Sequence, residues 1–381
     1  MYRPRHALTC ILPPHIIQKI TENGSAEQRK WALQTLETTA QFRGQRLAIT
    51  RGRAAAVEEG AAGGVKQRKV YSADNGSSLP GRLVRSEGDP AVGDPAADEA
   101  YDGAGSTYDL YWDVYQRNSI DDHGMEIDST VHYQQNYDNA FWNGQQMVYG
   151  DGDQNLPPDQ RLFNRFTIAV DVIGHELTHG VTQYEAALVY QDQPGALNES
   201  FSDVFGSLVK QRALGQTAAQ ADWLIGEGLF TANVHGVALR SMKAPGTAYD
   251  DPILGKDPQP ANMSAYVNTT SDNGGVHINS GIPNHAFYVT AVEIGGNAWD
   301  KAGKIWYLTL RDHLQSTSNF QAAADLTYAV AGDLFGANSL EQQAVQKGWA
   351  AVGITVNAAS PQPGCLPGLL NIFRPQARTS R

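Results

Sequence analysis

His175-Glu176-Leu177-Thr178-His179 sets two imidazoles and a carboxylate within five consecutive residues. On a helix, positions four apart are separated by just over one turn, so both rings leave the same face and can hold one ion. Zn2+ suits two neutral His nitrogens plus a carboxylate and keeps a fourth position for water. Glu176 then stands where it can take that water's proton. The bare pattern also turns up by chance on helices whose two His residues are simply solvated, so it needs context. Glu199 opens a second helical face twenty residues after His179, as a third ligand would, and Asp203 follows one turn later. A carboxylate at Asp203 can accept the distal N–H of a ligating His and fix its tautomer. Taken alone, either acid is more often a solvated surface charge.

Two helices must bring these groups together. Phe166, Val170, Ile173, Leu177 and Val181 trace one apolar face of a long helix that carries the His motif. Phe201, Val204, Phe205 and Leu208 mark a second, starting near Leu197. Helical patterns recur over 302–314, 320–335 and 339–352, the last opened by Ser339 with Gln342 three residues on as a capping box. Ahead of the motif, residues 70–160 are rich in Gly, Asp, Tyr and Val and are broken by turn signals such as Asp74-Asn75-Gly76 and Leu79-Pro80-Gly81. Alternation at Val131 and Tyr133, and the run Met147-Val148-Tyr149, favour strands there. Residues 13–40 read as a small independent helical element, with Ile16, Ile17, Ile20, Trp31, Leu33 and Leu36 at near-helical spacing. Residues 51–64 have linker composition and 357–381 form a Pro-rich tail.

With 381 residues, 41% of them hydrophobic and 18% charged, the chain is long and apolar enough for a substantial core, which excludes disorder as a description of the whole. Its formal charge of −11 lacks the footprint of a nucleic-acid binder. That charge is unevenly placed. Residues 1–69 hold twelve Lys and Arg against five Glu, a net of +7, leaving −18 for the remainder. A basic segment followed by an acidic body reads either as a disordered arm or as a segment that docks on its own acidic domain. Two cysteines, Cys10 and Cys365, make no disulfide framework. The apolar run 7–12 is short for an export signal and ends at Pro13-Pro14, and no stretch reaches the roughly 18 apolar residues of a membrane span. The expectation is a soluble protein, cytoplasmic or released without a standard Sec signal, with secretion left open.

His175-Glu176-x-x-His179 followed by Gly195-Ala196-Leu197-Asn198-Glu199-Ser200-x-Ser202-Asp203 resembles the thermolysin family of zinc metallopeptidases. The resemblance runs from about Val70 to Ile354 and includes Asn139-Ala140-Phe141-Trp142-Asn143-Gly144, Tyr149-Gly150-Asp151-Gly152-Asp153, Tyr190, Asp222-Trp223-x-Ile225-Gly226-Glu227, Arg240-Ser241-Met242 and Asp272-Asn273-Gly274-Gly275-Val276-His277. Cys10 followed by Pro13-Pro14-His15 is similar to the protealysin branch, whose prosegments are short. The implied fold is α+β and two-lobed: a prosegment and linker at 1–64, a β-rich N-terminal lobe at 65–181 ending in the central helix, a helical C-terminal lobe at 182–356, and the tail.

The implied activity is that of a zinc-dependent neutral endopeptidase in zymogen form, cutting on the amino side of bulky hydrophobic residues. By the same resemblance, His175, His179 and Glu199 hold one zinc ion, with Asp203 and Asn198 behind them. Glu176 is the general base, His277 and Tyr190 stabilise the oxyanion, and Asp272 orients His277. Asn139, the Ala140 backbone and Arg240 hold the substrate backbone, and Phe163, Phe166, Val172 and Leu239 line an apolar pocket after the cleaved bond. Asp171, Asp222 and Glu227 match calcium-binding acids, but Lys210 and Leu224 stand where two further acids would be, so at most one Ca2+ is expected, or an ion-pair cluster in its place. The prosegment is expected to inhibit its own enzyme through Cys10, Pro13, Pro14 and His15, either by steric occlusion or by a Cys10 thiolate on the zinc. Expected partners are protein or peptide substrates, with a proteinaceous inhibitor left open. A catalytically dead relative would lose Glu176, His277 or a ligand, and all are present. A hydrolase of small amides would not need the backbone-binding set.

Overall fold

The strands predicted ahead of the His motif assemble into one six-stranded sheet, in a computed structural model that describes residues 9–49 and 64–357. The linker predicted at 51–64 and the tail at 357–381 therefore fall almost wholly outside the described residues. In chain order the first elements are β1 (Thr9–Cys10), α1 (Pro14–Asn23), α2 (Ala26–Ile49), β2 (Arg68–Ser72), β3 (Arg82–Ser86), α3 (Pro95–Tyr115), β4 (Ile127–Val131), β5 (Ala140–Trp142) and β6 (Met147–Tyr149). The sheet order is β1-β5-β6-β4-β2-β3, with β2, β4 and β6 parallel and the other pairings antiparallel. β1 is the edge strand, laid on β5 with Thr9 opposite Trp142 and Cys10 opposite Phe141.

The strand just ahead of the helical element predicted at 13–40 adds to the sheet of the following lobe. Pro13-Pro14 stops β1 and presets the first turn of α1, whose Ile16, Ile17 and Ile20 are buried. Ser25 and Gln28 then form a reciprocal capping box that starts α2, at 3.3 Å and 2.7 Å. The buried face of α2 is built from Ala32, Thr35, Thr38 and Thr39, whereas Leu33 is exposed and Trp31 and Leu36 are only half-buried. Reading the large apolar residues as its core face therefore misassigned it.

Helix α3 is the main departure from the β-rich reading. Its Gly and Ala residues look like turn signals, but they form a close-packed face: a Cβ at Gly103 would meet Ile173 Cδ1 at 2.3 Å. Asp94 caps this helix by accepting from the Ala96 N–H at 3.0 Å, and Pro95 begins it.

The central helix α4 spans Val170–Tyr184, and α5 spans Asp192–Leu214. Phe166 belongs to a separate short 3-10 turn, so the long helix starts later than its apolar pattern implied. α5 starts earlier than Leu197, because Pro194 and Gly195 fall within its first turns, where a missing N–H is no loss. Two glycines let α4 and α5 cross at contact distance. A Cβ at Gly206 would meet the Asp171 carbonyl at 2.4 Å, and one at Gly174 would meet Gly206 Cα at 3.0 Å. This crossing carries the His face of α4 to the acid face of α5.

Beyond α5 come two short ribbons, β7 (Leu224–Ile225) with β8 (Arg240–Ser241) and β9 (Asp250–Asp251) with β10 (Gly255–Lys256). Helices α6 (Asp272–Asn279), α7 (Gly281–Ile294), α8 (Ala302–Leu308), α9 (Phe320–Phe335) and α10 (Leu340–Ala351) complete the helical half. The pattern at 302–314 resolves into α8 and a following π turn. Ser339 caps α10 through the Gln342 N–H, as predicted, while the Gln342 side chain accepts from Asn338 N.

Candidate metal centre and substrate cleft

His175 and His179, one turn apart on α4, bring their Nε2 atoms to 2.9 Å. The Glu199 carboxylate on α5 faces them at 3.5 Å from His175 and 3.4 Å from His179. Ligands about 2.0–2.1 Å from a tetrahedral ion are separated by roughly 3.3 Å, so the triangle has the dimensions of a zinc site. All three side chains are buried, and Glu199 Oε2 makes no hydrogen bond among the described residues. A buried carboxylate oxygen facing two imidazoles is costly unless a cation meets it. Glu176 belongs to the same cluster, its ligand atom within 4.8 Å of the two His nitrogens, and accepts the Trp142 N–H at 3.0 Å.

Behind this triangle each imidazole is oriented by a partner on α5. His175 Nδ1 lies 2.8 Å from Asp203 Oδ1, and His179 Nδ1 lies 2.8 Å from Asn198 Oδ1 and 3.0 Å from Ser202 Oγ. Asp203 also accepts two N–H groups of Arg240 and one from Asn284. Burial alone would raise its pKa, but Arg240 and His175 hold it well below the carboxylate range. Asn284, a polar residue on the buried side of α7, went unnoticed in the sequence. A buried Asn must find partners, and here it donates to Asp203.

His277 approaches from α6. Its Nδ1 is 2.6 Å from Asp272 Oδ1, and its backbone N–H donates to Asp272 Oδ2 at 2.9 Å. Between the two, Asn273, Gly274 and Gly275 all take left-handed backbone angles, and a Cβ at Gly274 would lie 2.0 Å from Asp192 Oδ1. Burial lowers the His277 pKa, but Asp272 and Glu199 outweigh it and push it up to about 9. The Tyr190 hydroxyl lies 3.2 Å from His277 Nε2 and donates to Glu199.

The N-terminal segment fills the cleft between these groups. The Ile11 N–H donates to the Ala140 carbonyl at 3.2 Å, the Ile11 carbonyl accepts from Arg240 Nη1 at 3.0 Å, and the Leu12 N–H donates to Asn139 Oδ1 at 3.0 Å. The Cys10 carbonyl lies 3.1 Å from His277 Nε2. Cys10 packs with Tyr133, Tyr137, Phe141 and Val148, and its thiol points to the Leu12 carbonyl at 3.7 Å. His15 is buried with Nε2 3.0 Å from the Tyr249 hydroxyl, and burial lowers its pKa to about 4. Phe163, Phe166, Val172 and Leu239 are all buried in the same apolar core as Ile11 and Leu12, with the two Phe rings 5.9 Å apart. Of the basic residues behind the +7 charge, Lys19 pairs with Glu22 of its own helix and Lys66, Arg68 and Lys69 pair with Asp109, Glu87 and Glu126, while Arg3, Arg5, Arg43, Arg46, Arg51 and Arg53 lie outside the described side chains.

Away from the cleft, Asp171, Asp222 and Glu227 converge on the Lys210 ammonium at 3.7, 2.7 and 3.0 Å. Burial works against that charge, but the three carboxylates hold the Lys210 pKa above its ordinary value.

Comparison with known proteins agrees with this geometry. Residues 35–183 match the family described as thermolysin metallopeptidase, catalytic domain, and residues 186–354 match its alpha-helical domain. An extracellular metalloprotease of Pectobacterium carotovorum subsp. carotovorum is 52% identical, over 91% of this chain and 96% of that protein. Protease PrtS of Photorhabdus sp. (strain Az29) is 47% identical, over 91% and 92%. The structure of the precursor of protealysin, a metalloproteinase from Serratia proteamaculans, superposes with a TM-score of 0.81 at 50% identity, covering 91% of this chain and 100% of that one. With both halves of the fold matched in order and relatives sharing about half its residues, the chain belongs to the thermolysin family of metallopeptidases.

Proposed function

We propose that His175, His179 and Glu199 hold a single catalytic zinc ion and that Glu176, His277, Tyr190 and Asp272 work beside it to hydrolyse peptide bonds. The observation that carries this reading is the triangle of two imidazoles and one buried carboxylate, with Glu176 at its edge. A bound zinc ion supplies Lewis acidity, making water a stronger acid and polarising a carbonyl. Glu176 takes the proton of the attacking water and delivers it to the leaving amine. His277, held cationic by Asp272, and Tyr190 donate hydrogen bonds where the carbonyl oxygen gains charge. Asp203 and Asn198 keep both ligating rings in the tautomer that points Nε2 inward. β5 offers an open edge once β1 leaves, so an extended substrate adds as a strand, pinned by Asn139, Ala140 and Arg240. The apolar lining from Phe163, Phe166, Val172 and Leu239 favours bulky hydrophobic side chains after the cleaved bond.

Residues 9–49 act as an inhibitory prosegment that occupies this cleft through Cys10, Pro13, Pro14 and His15, by occlusion along β5. Lys210 stands in for a calcium ion among Asp171, Asp222 and Glu227, offsetting part of that cluster's negative charge without metal. The relatives named as extracellular favour an enzyme that acts after release, and no described helix is long and apolar enough to cross a membrane. The test is a quenched peptide series varying the residue after the scissile bond, with processed enzyme and its Glu176→Ala variant. Cleavage before Leu, Ile or Phe by the parent alone supports the reading, whereas equal cleavage by Glu176→Ala sinks it.

A further inference from the structure

We propose that the enzyme cuts its own chain between Cys10 and Ile11, and that this bond lies across the cleft in the orientation of a substrate. The inference rests on the zinc peptidase reading above and extends it to a definite bond.

The direction of the chain carries the argument. An occluding segment can run either way along an edge strand, but a substrate must present one carbonyl to the oxyanion groups and the following N–H to the leaving side. The segment meets that requirement at one place. The Cys10 carbonyl lies 3.1 Å from His277 Nε2, itself 3.2 Å from the Tyr190 hydroxyl and 3.5 Å from Glu199. The next N–H, that of Ile11, donates to Ala140, the next carbonyl accepts from Arg240, and the next N–H donates to Asn139. These are the three groups assigned to grip a substrate backbone, and they are engaged in consecutive order by consecutive residues. Ile11 is fully buried within the apolar core that holds Phe163, Phe166, Val172 and Leu239, so the side chain after the bond is the kind the pocket prefers.

In the reaction, the water oxygen adds to the Cys10 carbonyl carbon and the Cys10–Ile11 C–N bond breaks. Both water protons pass, one after the other by way of Glu176, to the Ile11 nitrogen, leaving a Cys10 carboxylate and an Ile11 ammonium. Cleavage separates Thr9 and Cys10 of β1 from the rest of the segment. The part from Ile11 onward stays, anchored by the buried Ile16, Ile17 and Ile20 and by the His15 contact with Tyr249.

The full-length precursor, purified in chelator, is given zinc, and its new N-termini are followed by denaturing mass spectrometry with terminal labelling. A terminus at Ile11 is expected, forming with a first-order rate constant that is unchanged on hundredfold dilution. Glu176→Gln should abolish it, and Ile11→Gly should slow it roughly tenfold or more through loss of the buried apolar side chain after the bond. Processed enzyme from the same batch is assayed on casein with and without chelator. Chelator-sensitive casein cleavage with no Ile11 terminus overturns the self-cleavage alone, as does an Ile11 terminus whose rate scales with protein concentration. Absence of casein cleavage overturns the peptidase reading as well.

Discussion

Asp203 Oδ1 lies 2.8 Å from His175 Nδ1, and both groups are buried. The same carboxylate is gripped by Arg240 through two N–H groups, so one side chain couples the metal face of α4 to the residue that holds the Ile11 carbonyl. Asp203→Asn removes the charge that both partners face. Zinc affinity should fall about 10–100-fold. Stranding the buried Arg240 cation should cost about 3–5 kcal/mol of stability. Zinc competition titration and chemical denaturation of the same variant read the two effects separately; an unchanged zinc affinity would remove Asp203 from the metal centre.

His132 bridges Asp151 at 2.8 Å and Asp94, the cap of α3, at 2.7 Å. Its hydrogen bond to Asp151, reinforced by Asp94 against the effect of burial, raises its pKa from 6.5 to about 9. The folded value exceeds the unfolded one, so the stabilisation is fully present below about pH 6.5 and is lost as pH rises through 9. Relative to His132→Gln, the parent should lose on the order of 1–2 kcal/mol of advantage between pH 6.5 and 9.5, discounted for partial exposure of the group. Urea denaturation of both proteins across this range measures the difference, and parallel curves would contradict the bridge.

Lys210 predicts an inversion of metal response. With the ammonium among Asp171, Asp222 and Glu227, millimolar calcium should leave the melting temperature unchanged. Lys210→Glu should destabilise the chain in chelator, by roughly 2–4 kcal/mol, because it gathers four carboxylates, and calcium should restore much of the loss. Calorimetry with and without calcium decides; a parent stabilised by calcium would show that the ammonium does not replace the ion.

Gly206 tests the helix crossing. Gly206→Ala places a Cβ 2.4 Å from the Asp171 carbonyl, so α4 and α5 must separate. A cost of about 1–3 kcal/mol is expected from overpacking, with weaker zinc binding because Glu199 moves away from both imidazoles. Loss of stability with full zinc affinity would mean that the crossing distance does not set the metal triangle.

The metal face was legible because its signal is local: a helix fixes where positions 175 and 179 point, whatever surrounds them. The acids of α5 were legible for the same reason, as was the Ser339 cap, which depends only on positions 339–342. What escaped were features set by contact between distant segments. In α3, Gly103 reads as a turn residue until Ile173 is seen against it. On α2, threonines rather than the larger apolar residues face inward, because the surface they meet belongs to the body of the enzyme. The alignment of Cys10-Ile11-Leu12 on β5 depends on a pairing across more than a hundred residues, which no local pattern encodes.

The central claim is that one zinc ion, held by His175, His179 and Glu199, enables peptide hydrolysis. Its most direct test is reconstitution: processed enzyme stripped of metal, titrated with zinc, with bound zinc and peptide cleavage measured on the same samples. The account predicts no cleavage without metal and a rise that saturates at one zinc per chain, with His179→Ala and Glu199→Ala failing to recover at that stoichiometry. Full cleavage by the stripped enzyme, or undiminished zinc-dependent activity in those variants, would contradict it.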